Sequence, residues 1–151
     1  MQIDFRKTDA ALPPARELLA AMEAEMLELY ADSMVTMPPA GPADFTPPDG
    51  VYLVGYADDE PVCGGGLKRL PDDAAEIKRM YVVPAARRRG AARALLGALE
   101  QTARDLGYSI VRLDTGPRQP QAKALYLASG YVEVGNYNAN PYAAYWGEKQ
   151  L

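Results

Sequence analysis

The sequence predicts an α/β domain built on a mixed, mostly antiparallel twisted sheet with helices on both faces. Three observations carry that prediction. Residues 51–57, 62–70 and 76–83 are apolar-rich runs separated by Asp58-Asp59-Glu60-Pro61 and Pro71-Asp72-Asp73-Ala74, so they read as consecutive antiparallel strands joined by turns. Residues 90–106 place Ala92, Leu95, Leu96, Leu99, Ala103 and Leu106 on one helical face, and Gly107 stops the helix. The strand before that helix and residues 109–115 after it form a strand-helix-strand unit, which requires a parallel pair with a right-handed crossover.

The remaining elements follow in chain order. Residues 2–7 alternate around Ile3 and Phe5 and read as a first strand. Asp9 is placed to cap the next helix, with Pro13 and Pro14 in its first turn. Leu18, Leu19, Met22, Met26 and Leu29 recur at helical spacing, while Glu17, Glu23, Glu25 and Glu28 read as its solvated surface. Pro38, Pro39, Pro42, Pro47 and Pro48 break any regular element across residues 32–50, which suits a lid, a binding loop or a mobile segment. The run Gly64-Gly65-Gly66 is not followed by a helix, so it reads as a bulge or a close backbone approach rather than a phosphate loop. Residues 119–129 form a shorter helix closed by Gly130, and residues 131–137 and 143–149 are two final strands joined at 138–141.

Length and composition bound the function. With 151 residues the chain fits one domain spanning 1–151. That length buries roughly 68–70% of its unfolded surface, enough for a core without staples. Histidine is absent, which excludes Ser-His-Asp and Cys-His catalysis and most zinc sites, and no metal is expected. Cys63 is the single cysteine, so no intrachain disulfide can form. The start, Met-Gln-Ile-Asp-Phe-Arg, lacks the pattern of a secretory signal, and no apolar run reaches about 18 residues. A cytoplasmic protein without a membrane span is the expectation. The net charge of −4 argues against a nucleic-acid partner, and the local cluster Arg87, Arg88, Arg89 and Arg93 suits a small anionic ligand.

That cluster opens the helix at Gly90. The first N–H groups of a helix have no internal partner and carry the positive end of the macrodipole, so small residues there admit a pyrophosphate. Gly90, Ala91 and Ala92 provide the space, with Arg87, Arg88 and Arg89 at the rim. Neither a GxxxxGK[ST] loop nor a GxGxxG after the first strand is present. The segment from Met80 through Val83-Pro84 to Leu96 resembles the acyl-CoA motif of the GNAT N-acetyltransferases, Gln/Arg-x-x-Gly-x-Gly/Ala, with Arg87, Gly90 and Ala92 at its fixed positions. The resemblance runs from Val51 to Leu151 and implies a GNAT-like sheet with a splayed parallel pair at the cofactor site. It implies that the backbone of Arg87, Arg88, Arg89, Gly90, Ala91 and Ala92 holds the CoA pyrophosphate. By the same resemblance the strand backbone at Met80, Tyr81 and Val82 pairs with the pantetheine arm as an added strand.

Acetyl transfer to an amine needs a base for the amine and an acid for the departing thiolate. Without histidine, tyrosine and carboxylates are the available proton handlers. The stretch from Gln119 through Ala122, Leu125 and Tyr126 to Gly130-Tyr131 is similar to the family's second signature, Asn-x-x-Ala-x-x-Leu-Tyr followed by Gly-Phe/Tyr. That resemblance assigns Tyr126 as general acid near the CoA sulfur and puts Gln119 at the position of the Asn that contacts the cofactor arm. Glu76, eleven positions before Arg87 on the strand leading to the turn, resembles the base of the family's histone-acetylating branch. Unless a bulge intervenes, it shares a strand face with Lys78 and Met80. Asp114 is the second candidate base. Tyr137, Tyr142, Tyr145 and Trp146 are expected to line an acceptor pocket or to fill the core.

The expected activity is transfer of an acetyl group from acetyl-CoA to a primary amine, on a small molecule or peptide, by direct attack in a ternary complex. A catalytically silent acyl-CoA-binding sensor of the same fold, or another phosphate-ligand protein, are the alternatives. The acceptor, the acyl chain length and whether the chain forms a homodimer stay open at this level.

Overall fold

The computed structural model describes residues 1–35, 37 and 40–151. Among these, seven strands form one sheet: β1 (Asp4–Thr8), β2 (Val51–Ala57), β3 (Glu60–Arg69), β4 (Ala75–Val82), β5 (Ile110–Thr115), β6 (Val132–Glu133) and β7 (Tyr145–Gln150). Their order across the sheet is β1-β2-β3-β4-β5-β7-β6. Three α-helices accompany it: α1 (Ala15–Leu29), α2 (Ala91–Asp105) and α3 (Pro120–Ala128). Every neighbouring pair is antiparallel except β4 and β5. The mixed, mostly antiparallel sheet is therefore as the sequence predicts.

Two apolar layers sandwich the sheet. On one face Leu95, Leu96, Leu99 and Ala103 of α2 and Tyr126 of α3 pack on Leu53, Ile77, Val111 and Leu113 of the strands. On the other face Ala15 and Leu18 of α1 pack with Phe45, Tyr52, Val54 and Tyr81. Each helix carries one apolar stripe, and β2 is apolar on both sides, with Val51 and Leu53 in one layer and Tyr52 and Val54 in the other. β5 instead alternates apolar Val111 and Leu113 with Arg112 and Asp114.

Several local details differ from expectation. Asp9 does not cap α1; it accepts from the Ala11 N–H at 2.9 Å and closes a turn, and α1 starts only after Pro14. Leu29 is exposed at the helix end while the next residue, Tyr30, is buried. Within residues 32–50, Pro42–Phe45 is a 3-10 turn whose Phe45 anchors the second layer. Pro38 and Pro39 lie outside the described residues. The expected strand over 131–137 shrinks to Val132–Glu133, plus a bond from the Val134 N–H to the Trp146 carbonyl at 2.9 Å. Beyond that point the chain leaves the sheet edge, and its polar side chains turn inward as described below.

Two features of β4 position everything that follows. First, Lys78 opposes Gly66 and Tyr81 opposes Gly64, so Arg79 and Met80 together face Gly65. This is a β-bulge, with Arg79 in the left-handed region at φ 61°. The glycines of β3 fit it by close approach. A Cβ on Gly64 would run into the Tyr52 phenol, and one on Gly66 into the Phe45 ring. The bulge also reverses the side-chain alternation. Ala75 and Ile77 belong to the α2 layer and so do Met80 and Val82, whereas Tyr81 belongs to the α1 layer. Glu76 therefore shares its face with Lys78 but not with Met80. Second, β4 pairs with β5 only at Ala75–Val111 and Glu76–Arg112. From Ile77 onward the two parallel strands diverge, and the β5-facing edge of β4 has no strand beside it.

Replacing Gly66 by Ala puts a methyl group into the Phe45 ring and is expected to lower stability by about 1–3 kcal/mol. Gly97→Ala, on the exposed side of α2 with open space around it, is expected to raise stability by about 0.5–1 kcal/mol. Urea unfolding of both variants against the parent chain checks the pair.

Candidate active site

The β4 end is fixed before the turn begins. Val83 N–H donates to the Val62 carbonyl at 2.9 Å, holding the strand exit to β3. Pro84–Ala86 makes one 3-10 turn, and the Arg87 N–H donates to the Pro84 carbonyl at 3.3 Å. Arg88 at φ 64° and Gly90 at φ 82° are then both left-handed, which folds the chain sharply into α2. The first helical bond here runs from the Ala94 N–H to the Gly90 carbonyl at 3.0 Å. The amides ahead of Ala94 thus have no carbonyl of their own helix to meet. A Cβ on Gly90 would touch nothing within 4 Å. Glycine is needed there by its backbone angle, and the space in front of the helix end is open.

The three arginines of this turn do not act alike. Arg88 and Arg89 are exposed to solvent. Arg87 turns back: its Nε donates to the Val82 carbonyl at 2.9 Å and its Nη2 to Glu25 of α1 at 2.7 Å. Its guanidinium also lies 5.6 Å from the centre of the Tyr81 ring. That side chain, still partly exposed, fastens the first helix to the turn.

A groove follows the parting of β4 and β5. Met80 and Arg79 line it from β4, Thr115 and Gly116 from the end of β5, and Gln119 and Tyr126 from α3. Met22 and Met26 of α1, with Tyr30 just past its end, close it from the other side. The backbone at Met80, Tyr81 and Val82 lies along the unpaired edge. The fold thus gathers Met80, Gln119 and Tyr126 around one groove, whose open strand edge leads to the Gly90 turn.

Tyr126 is 7% exposed and stacks on Tyr145 with ring centres 6.4 Å apart and 20° between planes. Burial, with Asp114 and Tyr145 nearby, pushes its phenol pKa well above the ordinary value. It therefore keeps its proton at neutral pH and is a donor there. Gln119 is engaged inside the fold: its Oε1 accepts from the Tyr30 hydroxyl at 3.1 Å and from the Gly116 N–H at 3.2 Å. The Arg118 N–H in turn donates to the Tyr30 oxygen at 3.1 Å.

The two candidate bases are brought together, but only one reaches the groove. Glu76 is 1% exposed. Its Oε2 accepts from the Tyr137 hydroxyl at 2.6 Å and from Asn138 Nδ2 at 3.0 Å. Asn138 Nδ2 also donates to Asp114 Oδ2 at 2.6 Å, and Asn140 Nδ2 adds a bond to the same oxygen at 3.1 Å. Lys78 Nζ lies 3.6 Å from an oxygen of each carboxylate. Asp114 and Lys78 line the groove, while Glu76 stands behind them. Tyr137 holds its proton firmly, because burial and the adjacent Glu76 raise its pKa.

Strand alternation already put Lys78 on the face of Glu76, but the sequence did not reveal Asn138 or Asn140 as members of this cluster. These two fall in what reads as a connecting turn, and Asn-Ala-Asn in a loop carries no spacing signal. Of the aromatic residues expected near an acceptor, Tyr142 lines the groove. Tyr145 belongs to the core, and Trp146 Nε1 donates to Asn138 Oδ1 at 3.1 Å, orienting that amide.

This geometry agrees with comparisons to known proteins. The family model described as the acetyltransferase (GNAT) family matches residues 15–131. An uncharacterised N-acetyltransferase of Escherichia coli strain K12, YjgM, is 35% identical over 94 residues, covering 60% of this chain and 56% of its own. The chain thus spans little more than half the length of that curated relative. Among solved structures, an acetyltransferase of the GNAT family from Staphylococcus aureus Mu50 superposes with a TM-score of 0.80 at 15% identity, covering 99% of both chains. A GNAT family acetyltransferase from Elizabethkingia anophelis with acetyl-CoA bound gives a TM-score of 0.70 at 17% identity, covering 99% of this chain and 98% of the other. The structural likenesses concern the fold, and the family match covers most of the sequence. On the strength of that match, with the parted strand pair and the left-handed glycine turn in place, the chain belongs to the GNAT acetyltransferase family.

Proposed function

We propose that the protein transfers an acetyl group from acetyl-CoA to a primary amine by direct attack in a ternary complex. The observation that carries this reading is the unpaired β4 edge running from the Gly90 turn to the groove beside Tyr126. A pyrophosphate bound at the free amides of the turn, with Arg88 and Arg89 at its rim, would send its pantetheine arm along that edge. The edge then supplies strand-like hydrogen bonds to the arm. The acetyl-CoA-bound relative of the same fold supports the choice of donor.

The chain's own residues divide the chemistry. Asp114 is the carboxylate that meets the amine, with Glu76 behind it, so the two act as one base linked through Asn138 and Lys78. The nitrogen attacks the thioester carbonyl, and the carbon–sulfur bond breaks as the tetrahedral intermediate collapses. Tyr126, a phenol kept protonated by burial, gives its proton to the departing sulfur. No covalent enzyme intermediate is needed. The acceptor is a small-molecule or peptide amine, and the working compartment is the cytoplasm.

CoA release measured across a panel of amines tests the activity itself. In that assay Tyr126→Phe is expected to cut kcat by about 10²-fold or more while the Kd for acetyl-CoA stays within a few-fold of the parent. Gly90→Val strains a left-handed position and fills the open space ahead of α2, so calorimetry should read CoA affinity at least about tenfold weaker. Asp114→Asn is expected to lower kcat/KM by about tenfold or more, with Glu76→Gln giving a smaller loss of the same kind. A kcat/KM that survives both substitutions would place the base elsewhere.

A further inference from the structure

We propose that Lys78 is a self-acetylation site: without an external amine, its Nζ takes the acetyl group of acetyl-CoA bound in the same groove. This inference rests on the acetyl-transfer reading above. It concerns an amine of the protein itself rather than the external acceptor.

The argument starts from how the oxygens of the carboxylate pair are used. Glu76 Oε2 and Asp114 Oδ2 are occupied by neutral donors, namely Tyr137, Asn138 and Asn140. Glu76 Oε1 and Asp114 Oδ1 instead face Lys78 Nζ, each at 3.6 Å. An acceptor amine that hands a proton to this pair must approach those same two oxygens. Lys78 therefore holds a primary amine where an acceptor's amine has to be.

Its tether places it along the donor's path. Lys78 precedes the bulge residues Arg79 and Met80 on β4, just where that strand has parted from β5. It lines the groove together with Tyr126. Its side chain is 11% exposed, whereas Lys7 and Lys123 are exposed to solvent. Chemical acetylation governed by exposure would therefore favour Lys7 and Lys123, and acetylation governed by the groove would favour Lys78. A tethered amine beside a bound thioester also gains from proximity.

The step balances. Lys78 ammonium gives one proton to Asp114, and the freed Nζ lone pair attacks the acetyl carbonyl carbon. A carbon–nitrogen bond forms, the carbon–sulfur bond breaks, and Tyr126 protonates the CoA sulfur. The tyrosinate recovers the surplus proton from the amide nitrogen. The products are N-acetyl-Lys78, free CoA thiol and one proton, which passes from Asp114 to solvent. The modified side chain no longer carries the cation between Glu76 and Asp114 and fills the seat an acceptor would use. Acetylation should therefore slow transfer to external amines.

The test is incubation of the purified full chain with acetyl-CoA alone, followed by peptide mapping in a mass spectrometer. Lys78 should acquire acetyl ahead of Lys7 and Lys123, at least about tenfold more slowly in Tyr126→Phe. A saturating amine from the panel should also retard it. Acetyl spread over Lys7 and Lys123 with Lys78 unmarked overturns the proposal. So does marking of Lys78 at an equal rate in the Tyr126→Phe chain. The two readings separate cleanly: CoA binding and amine turnover with Lys78 unmarked sinks only the self-acetylation, whereas no CoA binding sinks the acetyl-transfer reading beneath it.

Discussion

Two parallel strands that begin paired and then part are the constraint on which the rest of the structure depends. β4 and β5 share register only at Ala75–Val111 and Glu76–Arg112. Beyond Glu76 the Arg79 bulge bends and twists β4, while β5 stays bonded to β7 along its full length. A sheet interior rarely exposes a row of backbone donors and acceptors, since buried polar groups without partners are costly. Here the row is tolerable because it faces a groove that solvent or an extended ligand can enter. The glycines opposite the bulge allow the distortion, with Tyr52 and Phe45 occupying the volume their missing side chains leave.

The parting also creates the electrostatics. Glu76 is the last β4 residue paired with β5, and there Lys78 comes within reach of both its carboxylate and that of Asp114. Two carboxylates so close would raise each other's energy in a poorly solvated setting unless other groups stabilise them. Three kinds of partner do so: a phenol from Tyr137, amides from Asn138 and Asn140, and one ammonium from Lys78. The loop carrying Tyr137 to Asn140 exists in this form because it leaves the β6 edge early and turns its polar side chains inward. Trp146 of β7 holds Asn138 in the orientation that lets its amide bridge both acids.

The first helix is fastened at both ends of the groove. Near the pyrophosphate turn, Glu25 binds Arg87. Near α3, Tyr30 joins Gln119 and the Arg118 backbone, and the Arg118 guanidinium reaches the Leu29 carbonyl at 3.0 Å and pairs with Asp32. Exposed ion pairs contribute little each. The buried Tyr30 hydroxyl, by contrast, has defined partners on both its donor and acceptor sides. Groove width therefore depends on contacts between segments some ninety residues apart, as with Tyr30 and Gln119.

Local chemistry alone determined much of this molecule. The alternation of apolar runs with acidic turns specified the β2–β3–β4 meander, and the helical spacing from Ala92 to Ala103 specified α2, with Gly90 at its start. The stretch from Gln119 to Tyr131 likewise identified the short helix that carries Tyr126. These signals survive in sequence because each depends on neighbours a few residues away. Only the tertiary structure decided how the polar groups pair. It tied Arg87 to Glu25, committed the Gln119 oxygen to Tyr30, put Asp114 rather than Glu76 at the groove, and drew Asn138 and Asn140 to the carboxylates. Such partnerships form across the sheet between side chains from separate elements. They are set by where a bulge reverses a strand's alternation and where a loop leaves an edge, and no spacing within one segment records that.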